Sequence, residues 1–246
     1  MDVALLTVGD ELLAGDTLNT NATWLAERLT ARGATVQRVL VVPDDREVIA
    51  DYVREWGEQF DALVLTGGLG GTHDDVTMDA VAEAFGRELV ADEAVVEDVV
   101  RTVAKFRDQN PDLVEKYDLD LDVDAWSAVP EGSRPLLNGP GLSPGCVLGN
   151  VYVLPGIPEE MEAMFESVAD EFSGEAVSET VETDAPEGAT THVIDEARET
   201  FDVRIGSYPA RDGPNRVKVS GTDPEEVEAA AAWLRVRVTP DALGTD

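Results

Sequence analysis

Apolar residues in the first part of the chain follow two alternating rhythms. VALLTV at 3–8 and DALVLT at 61–66 are short unbroken runs that suit strands buried on both faces. ATVQRVLVV at 34–42 is rich in β-branched residues and is also predicted as strand. The segments between them switch to a helical period. Leu25, Ala26 and Leu29 share one helical face after the N-cap candidates Asn19 and Asn21, and Gly33 stops that helix. Val48, Ile49, Tyr52, Val53 and Trp56 form a second face. Val76, Ala80, Val81 and Ala84 form a third, in a helix expected to start near Asp75 and to end at Gly86. Strand and helix alternating in this way predict a parallel sheet with helices on its faces, an α/β fold.

The rhythm then loosens. Residues 92–118 look helical, with a break at Asn110 and Pro111. From Trp126 to Gly149 proline and glycine are frequent, and only short β-prone pieces are expected. Gly149 and Asn150, between CVL and VYVL, read as a hairpin turn. LPGIPEEM at 154–161 leaves a strand and enters a helix that runs to about Phe172. Small and acidic residues take over at 173–180, where a boundary is placed. Beyond it the pattern predicts a strand (177–183), a helix (190–201), two strands (203–208 and 215–221) and a helix (223–235). That last helix opens on Asp223, Pro224, Glu225 and Glu226: a cap, a proline at the first position, then acids on the positive end of the dipole. The expected domains are thus 1–172 and a small α+β unit at 175–240.

Of 246 residues, 43% are hydrophobic and 28% charged, which is enough for a packed core. No apolar run approaches the roughly 20 residues of a membrane span, and the first residues lack a basic leader. Cys146 is the only cysteine, which excludes an internal disulfide and a multi-cysteine metal site. A cytoplasmic protein with no membrane partner is expected. The formal net charge is −33, from 51 acidic and 18 basic residues. Such a field repels nucleic-acid phosphate, and residues 175–240 lack the GxxG loop with which a KH domain grips RNA. The acids are spread over the whole chain. General adaptation to high salt is the expectation; an acidic surface shaped for one partner is the alternative.

Ligands of an open parallel sheet sit beyond the carboxyl ends of its strands. Three such ends carry unusual residues: GDELLAGDTLNTN at 9–21, PDD at 43–45 and TGGLGGTHDD at 66–75. Glycines after a strand let backbone N–H groups approach an anion closely. Asp74 and Asp75 could cap the following helix. Alternatively, they hold a divalent cation between carboxylate and phosphate oxygens. The stretch is neither a P-loop nor the dinucleotide fingerprint. His73 reads as an exposed loop residue, and His192 as the start of a helix. Cys146, among apolar neighbours, reads as buried and not as a nucleophile. Trp24 and Trp56 read as core. Ser143, Pro144 and Gly145 either line the mouth of a site or turn the chain.

The set GDELLAGDTLNTNATWLAERL, VVPDD, LVLTGGLGGTHDDVTMDAVAEAFG and LPGIPEEM resembles the MoaB/Mog (molybdopterin-binding) family over about residues 1–172. It is most similar to the N-terminal domain of the competence/damage-inducible CinA proteins. The resemblance implies a three-layer, mostly parallel sheet with helices on both faces, followed by a small KH-type α+β domain. CinA proteins then carry a deamidase domain, for which 246 residues leave no room, so deamidation is not expected here. By position, Asp44 and Asp75 fall on acids expected to be catalytic, and with Asp74 they would hold magnesium or cobalt. Gly9, Asp10, Glu11, Asn19 and Asn21 match the first ligand loop. Thr66, Gly67, Gly68, Gly70 and Thr72 match the turn, and Pro155 and Gly156 the last loop. Asn19 and Asn21 either bond ribose hydroxyls or cap a helix. Gly71 stands where most relatives have proline, which should loosen the turn. The implied ligand is a nucleotide or pterin phosphate. The implied activity is either metal-dependent hydrolysis of an ADP-ribose-type pyrophosphate or non-catalytic molybdopterin binding. A homo-oligomer is expected.

The dispersed acids generate a first prediction. Salt screens their mutual repulsion, so the melting temperature should rise from millimolar to molar KCl. A melting temperature independent of KCl would rule out the salt-adaptation reading.

Overall fold

The computed structural model describes residues 1–71, 73–109 and 123–243. The chain starts with β1 (Asp2–Val8), α1 (Asp10–Ala14), α2 (Thr20–Ala31), β2 (Thr35–Val42), α3 (Arg46–Gln59), β3 (Ala62–Thr66) and α4 (Thr77–Ala84). It continues with β4 (Leu89–Ala91), α5 (Glu93–Gln109), α6 (Val123–Trp126), β5 (Ala128–Pro130), β6 (Arg134–Leu136), β7 (Gly145–Leu148), β8 (Val151–Leu154) and α7 (Pro158–Val168). A second unit holds β9 (Val177–Thr183), α8 (Glu187–Thr200), β10 (Arg204–Tyr208), β11 (Asn215–Gly221), α9 (Pro224–Arg237) and α10 (Pro240–Leu243).

β1 is an interior strand, buried along almost its whole length, as its unbroken apolar run predicts. It pairs in parallel with β2 on one side and β3 on the other, and β3 pairs in parallel with β8. The full order is β2-β1-β3-β8-β7-β6. The hairpin expected at Gly149 and Asn150 is present, with Leu148 opposite Val151, so β7 runs antiparallel to β8, and β6 antiparallel to β7. The parallel rhythm therefore ends at β8, because a two-residue turn can only reverse the chain.

Side chains leave these strands alternately to two cores. Ala4, Leu6, Leu63, Leu65, Val151 and Val153 point to one face, where α3, α4 and α5 cover them with Ile49, Val53, Val81, Val95 and Val99. Val3, Leu5, Val64, Tyr152 and Leu154 point to the other, against Leu25 and Leu29 of α2 and Met161, Met164, Phe165 and Val168 of α7. Trp56 is core, edge-on to Tyr52 and Phe60 at centroid distances of 5.4 and 5.8 Å. Trp24 is partly buried, edge-on to Phe165 at 5.6 Å with the Arg28 guanidinium 4.9 Å from its ring. The result is the three-layer, mostly parallel α/β architecture that the resemblance implies.

The second unit has an antiparallel sheet of order β10-β11-β9, with one core formed by β-strand residues such as Val181, Val217 and Val219 and by α8 and α9. Asp223 caps α9 by accepting from the Glu225 N–H at 2.9 Å. His192 is exposed in the interior of α8, which starts at Glu187 and not at His192; Pro186 sets that earlier start. The helical expectation for 92–118 is met over α5, and its remainder lies outside the described residues. No helix among the described residues is long and apolar enough to cross a membrane.

Candidate functional site

Register places three strand ends at one rim. Thr7 is opposite Thr66, and Thr66 is opposite Leu154, so Gly9, Gly67 and Pro155 leave the sheet close together. Gly67 donates its N–H to the Leu154 carbonyl at 3.2 Å. Its φ is +99°, and a Cβ there would strike the Val8 carbonyl. Gly68 follows at φ +65°, with the Thr77 hydroxyl where its Cβ would be. These two glycines are therefore demanded by the backbone itself, before any ligand is considered. Across the rim, a Cβ on Gly156 would stand 3.3 Å from the Gly67 Cα.

Thr77, fully buried, ties the turn to α4. Its hydroxyl donates to the Gly67 carbonyl at 2.9 Å, and its N–H donates to the Gly68 carbonyl at 3.1 Å. α4 begins at Thr77 after a Val76 cap that makes no side-chain cap bond, which corrects the expected start at Asp75. Asp75 is not the cap. Its carboxylate lies against Gly70, filling the place a Cβ would take.

The loops after β1, β2, β3 and β8 enclose a cleft of about 500 Å³. Gly9, Glu11, Asn19, Asn21 and Asp44 line it, as do Thr66, Gly67, Gly68 and Gly70 from the turn. Asp74, Asp75, Pro155 and Gly156 complete the set of expected residues brought together. Thr72 lies outside the described residues. Asp10 opens α1, and its side chain is not on the lining. It acts on the cleft through Asp44, donating its N–H to Asp44 Oδ2 at 2.9 Å and bringing its own carboxylate near that of Asp44.

The paired aspartates at 44 and 45 divide two tasks. Asp45 caps α3, accepting from Glu47 N–H at 2.9 Å and Val48 N–H at 3.1 Å. Asp44 faces the cleft. Partial burial raises its pKa, the Asp10 N–H opposes that rise, and the neighbouring carboxylates of Asp10, Glu11 and Asp74 add to it. Glu160 is a fifth acid on the lining, with Glu11, Asp44, Asp74 and Asp75, and among the described residues no Lys, Arg or His lines the cleft. Nor are any three described His, Cys, Asp or Glu side chains grouped as a ready-made metal cage.

Asn19 caps α2 by accepting from the Ala22 N–H at 3.1 Å, and donates to Thr7 Oγ1 at 2.9 Å. Asn21 donates to the Gly156 carbonyl at 2.7 Å and so holds the last loop. His73 is exposed and off the lining. Burial pushes the Cys146 thiol up to about 12, so it stays protonated at neutral pH and is no nucleophile. Ser143 does line the cleft, and its carbonyl accepts from Asn138 at 2.8 Å. The space beside Gly71 is filled by the Trp126 indole, which a side chain there would strike. The indole thus packs directly against the turn at Gly71. Sequence reasoning missed Glu160, Asn138 and Trp126. Only Glu160 carried a signal, as the second acid after the LPGIP turn.

Residues 4–174 match the family model described as "Probable molybdopterin binding domain". Residues 175–245 match one described as "FAD synthase, middle domain"; the resemblance implied a KH-type unit over 175–240. A protein of Archaeoglobus fulgidus is 38% identical over 235 residues, covering 94% of this chain and 95% of its own. One of Pyrococcus furiosus is 36% identical over 217 residues, covering 85% of each. Among solved structures, the protein CinA with unknown function from Thermoplasma acidophilum is similar at 33% identity and a TM-score of 0.59. That match covers 70% of this chain and 99% of that one.

Substitution separates the two aspartates. Asp45→Ala removes a helix cap, so it should cost about 1 kcal/mol and lower the melting temperature by about 2–4 °C. Asp44→Asn keeps an acceptor for the Asp10 N–H and removes a repelled charge, so without divalent ions it should raise the melting temperature slightly at pH 7. Because folding raises the pKa of Asp44, its ionised form opposes folding above that pKa and has no effect below its ordinary 3.8. The gain from Asp44→Asn should therefore vanish in thermal melts below that pH. A gain that persists there, or a loss at pH 7, would contradict the assignment.

Proposed function

The chain belongs to the molybdopterin-binding domain family, and from that premise we propose that its cleft binds the diphosphate of a nucleotide or pterin phosphate with a divalent cation, and hydrolyses an ADP-ribose-type pyrophosphate. One observation carries this reading: the amides of the glycine turn and five carboxylates share a rim that has no basic side chain among the described residues. A diphosphate alone would be repelled by those acids. The donor set suits a hard cation, since all its side-chain charges are carboxylate oxygens. A cation of the magnesium type is commonly held by one or two carboxylates and completed by substrate phosphate, which agrees with the absence of a three-ligand cage among the described residues.

Asp44, Asp74 and Asp75 are the residues that would hold it. When bound, such a cation supplies neutralisation of phosphoryl charge and a lowered pKa for water. The chain's own part is positional. Gly67 commits its N–H to the Leu154 carbonyl, while Gly68 and Gly70 carry no side chain of their own, so their N–H groups can donate to phosphoryl oxygens as charge develops. Asn21 holds the Gly156 carbonyl and keeps the opposite wall in place. Water adds to one phosphorus, and the bridging oxygen leaves with the other phosphate, giving AMP and ribose 5-phosphate.

A second reading, molybdopterin binding without hydrolysis, is favoured by the description of the family model. The two separate in solution. With ADP-ribose and magnesium or cobalt in molar KCl, the wild type should release AMP, and Asp75→Asn should lower the rate at least about 100-fold. No AMP from the wild type, or equal rates, would overturn hydrolysis. Calorimetric heat with a pterin phosphate and none with ADP-ribose would then favour the second reading.

A further inference from the structure

Glu160 stands apart from the other acids of the cleft. It belongs to the first turn of α7, on the wall formed by residues 155–158. Its support is Asn138, which is 1% exposed and sits in the loop between β6 and β7. Asn138 Nδ2 donates to Glu160 Oε2 at 2.6 Å and to the Ser143 carbonyl at 2.8 Å, while its Oδ1 accepts from the Gly141 N–H at 2.9 Å. Gly141 is pressed so close to the carboxylate that no Cβ would fit between them. A buried amide with both ends occupied thus fixes one carboxylate oxygen. Among the described residues no basic side chain pairs with Glu160, and its Oε1 receives no hydrogen bond.

The same lining carries two exposed aliphatic side chains. Ile157 is 58% exposed and Leu18 is 82% exposed, and both line the cleft. Exposed aliphatic side chains on the same lining as a held carboxylate do not suit a phosphate oxygen. They suit the organic part of a ligand, with an apolar surface and a hydrogen-bond donor. Truncating that donor, or reversing the polarity of its acceptor, leaves a buried polar group unpaired, which is how such sites discriminate.

We propose that Glu160 is a specificity-determining residue: it accepts a hydrogen bond from a sugar hydroxyl or ring amino group of the ligand, whose apolar surface rests on Leu18 and Ile157. Through it the cleft separates a nucleotide-like diphosphate from bare pyrophosphate. The inference rests on the reading of the cleft as a cation-assisted diphosphate site.

The test is Glu160→Gln. The Asn138 donor should keep the oxygen of the new amide, so the fold is retained and an N–H₂ donor now meets the ligand's donor. Binding is measured by calorimetry with magnesium, using the non-hydrolysable methylene analogues of ADP-ribose and of pyrophosphate, with the melting temperature as the check on folding. Glu160→Gln should weaken the ADP-ribose analogue at least about tenfold, the scale of one charge-assisted hydrogen bond, and leave the pyrophosphate analogue within about twofold. Equal weakening of both, or no weakening of either, overturns the assignment of Glu160 alone. Failure of the wild type to bind either analogue overturns the diphosphate site and this inference with it. The inosine counterpart of the ADP-ribose analogue, which lacks the ring amino group, separates the two donors. A retained penalty assigns the bond to a sugar hydroxyl, and a lost one to the ring; both outcomes support the proposal.

Discussion

At the rim of the sheet the Gly67 N–H meets the carbonyl that ends β8, while the Gly67 carbonyl takes the Thr77 hydroxyl. The contact requires Gly67 to lie beneath the Val8 carbonyl, a place no side chain can share. Through it the ends of β1, β3 and β8 and the start of α4 are locked into one arrangement. The direction of every amide in the following turn depends on that lock. So does the position of Asp75, whose carboxylate is folded back on Gly70. The cleft is therefore a consequence of how four elements end, and the two layers of helices hold the strands in the register that makes those ends coincide.

Charge then sets the chemistry of the cleft. Asp44 faces Asp10, Glu11 and Asp74 closely enough that their repulsion adds to the effect of burial on its pKa. Natural proteins tolerate such clustering where it serves a ligand, and functional sites are where perturbed carboxylates gather. On the proposed reading the ligand brings or recruits positive charge. Division of labour between adjacent residues makes the cluster possible: Asp45 stabilises α3, which leaves Asp44 free to face inward. Glu160, held from behind by Asn138, extends the acidic lining to the opposite wall.

Much of this was legible in the residues. Unbroken apolar runs located β1 and β3 to within a residue, because both are buried almost throughout, and a helical stripe located α2, which buries Leu25 and Leu29; β2, largely exposed, was found from its β-branched composition. The convergence of the three glycine- and acid-rich loops followed from the rule for parallel sheets. What failed was local and tertiary. Asp75 sits where a cap would be expected, yet the helix starts two residues later because Thr77 is drawn into the turn. The short helix α1 at Asp10–Ala14 buries no residue, so it left no apolar stripe to read. Asn138 and Glu160 are 22 residues apart and meet only once β7 and β8 have folded, so no spacing rule joins them. Trp126 against Gly71 is invisible for the same reason.

On the proposed reading, the acids of the cleft accept a diphosphate only together with a divalent cation. Calorimetry with the non-hydrolysable ADP-ribose analogue, run with magnesium and again with excess chelator, addresses that claim most directly. Binding that appears with magnesium and disappears with chelator is the predicted result. Equal binding in both conditions, or none in either, would contradict it.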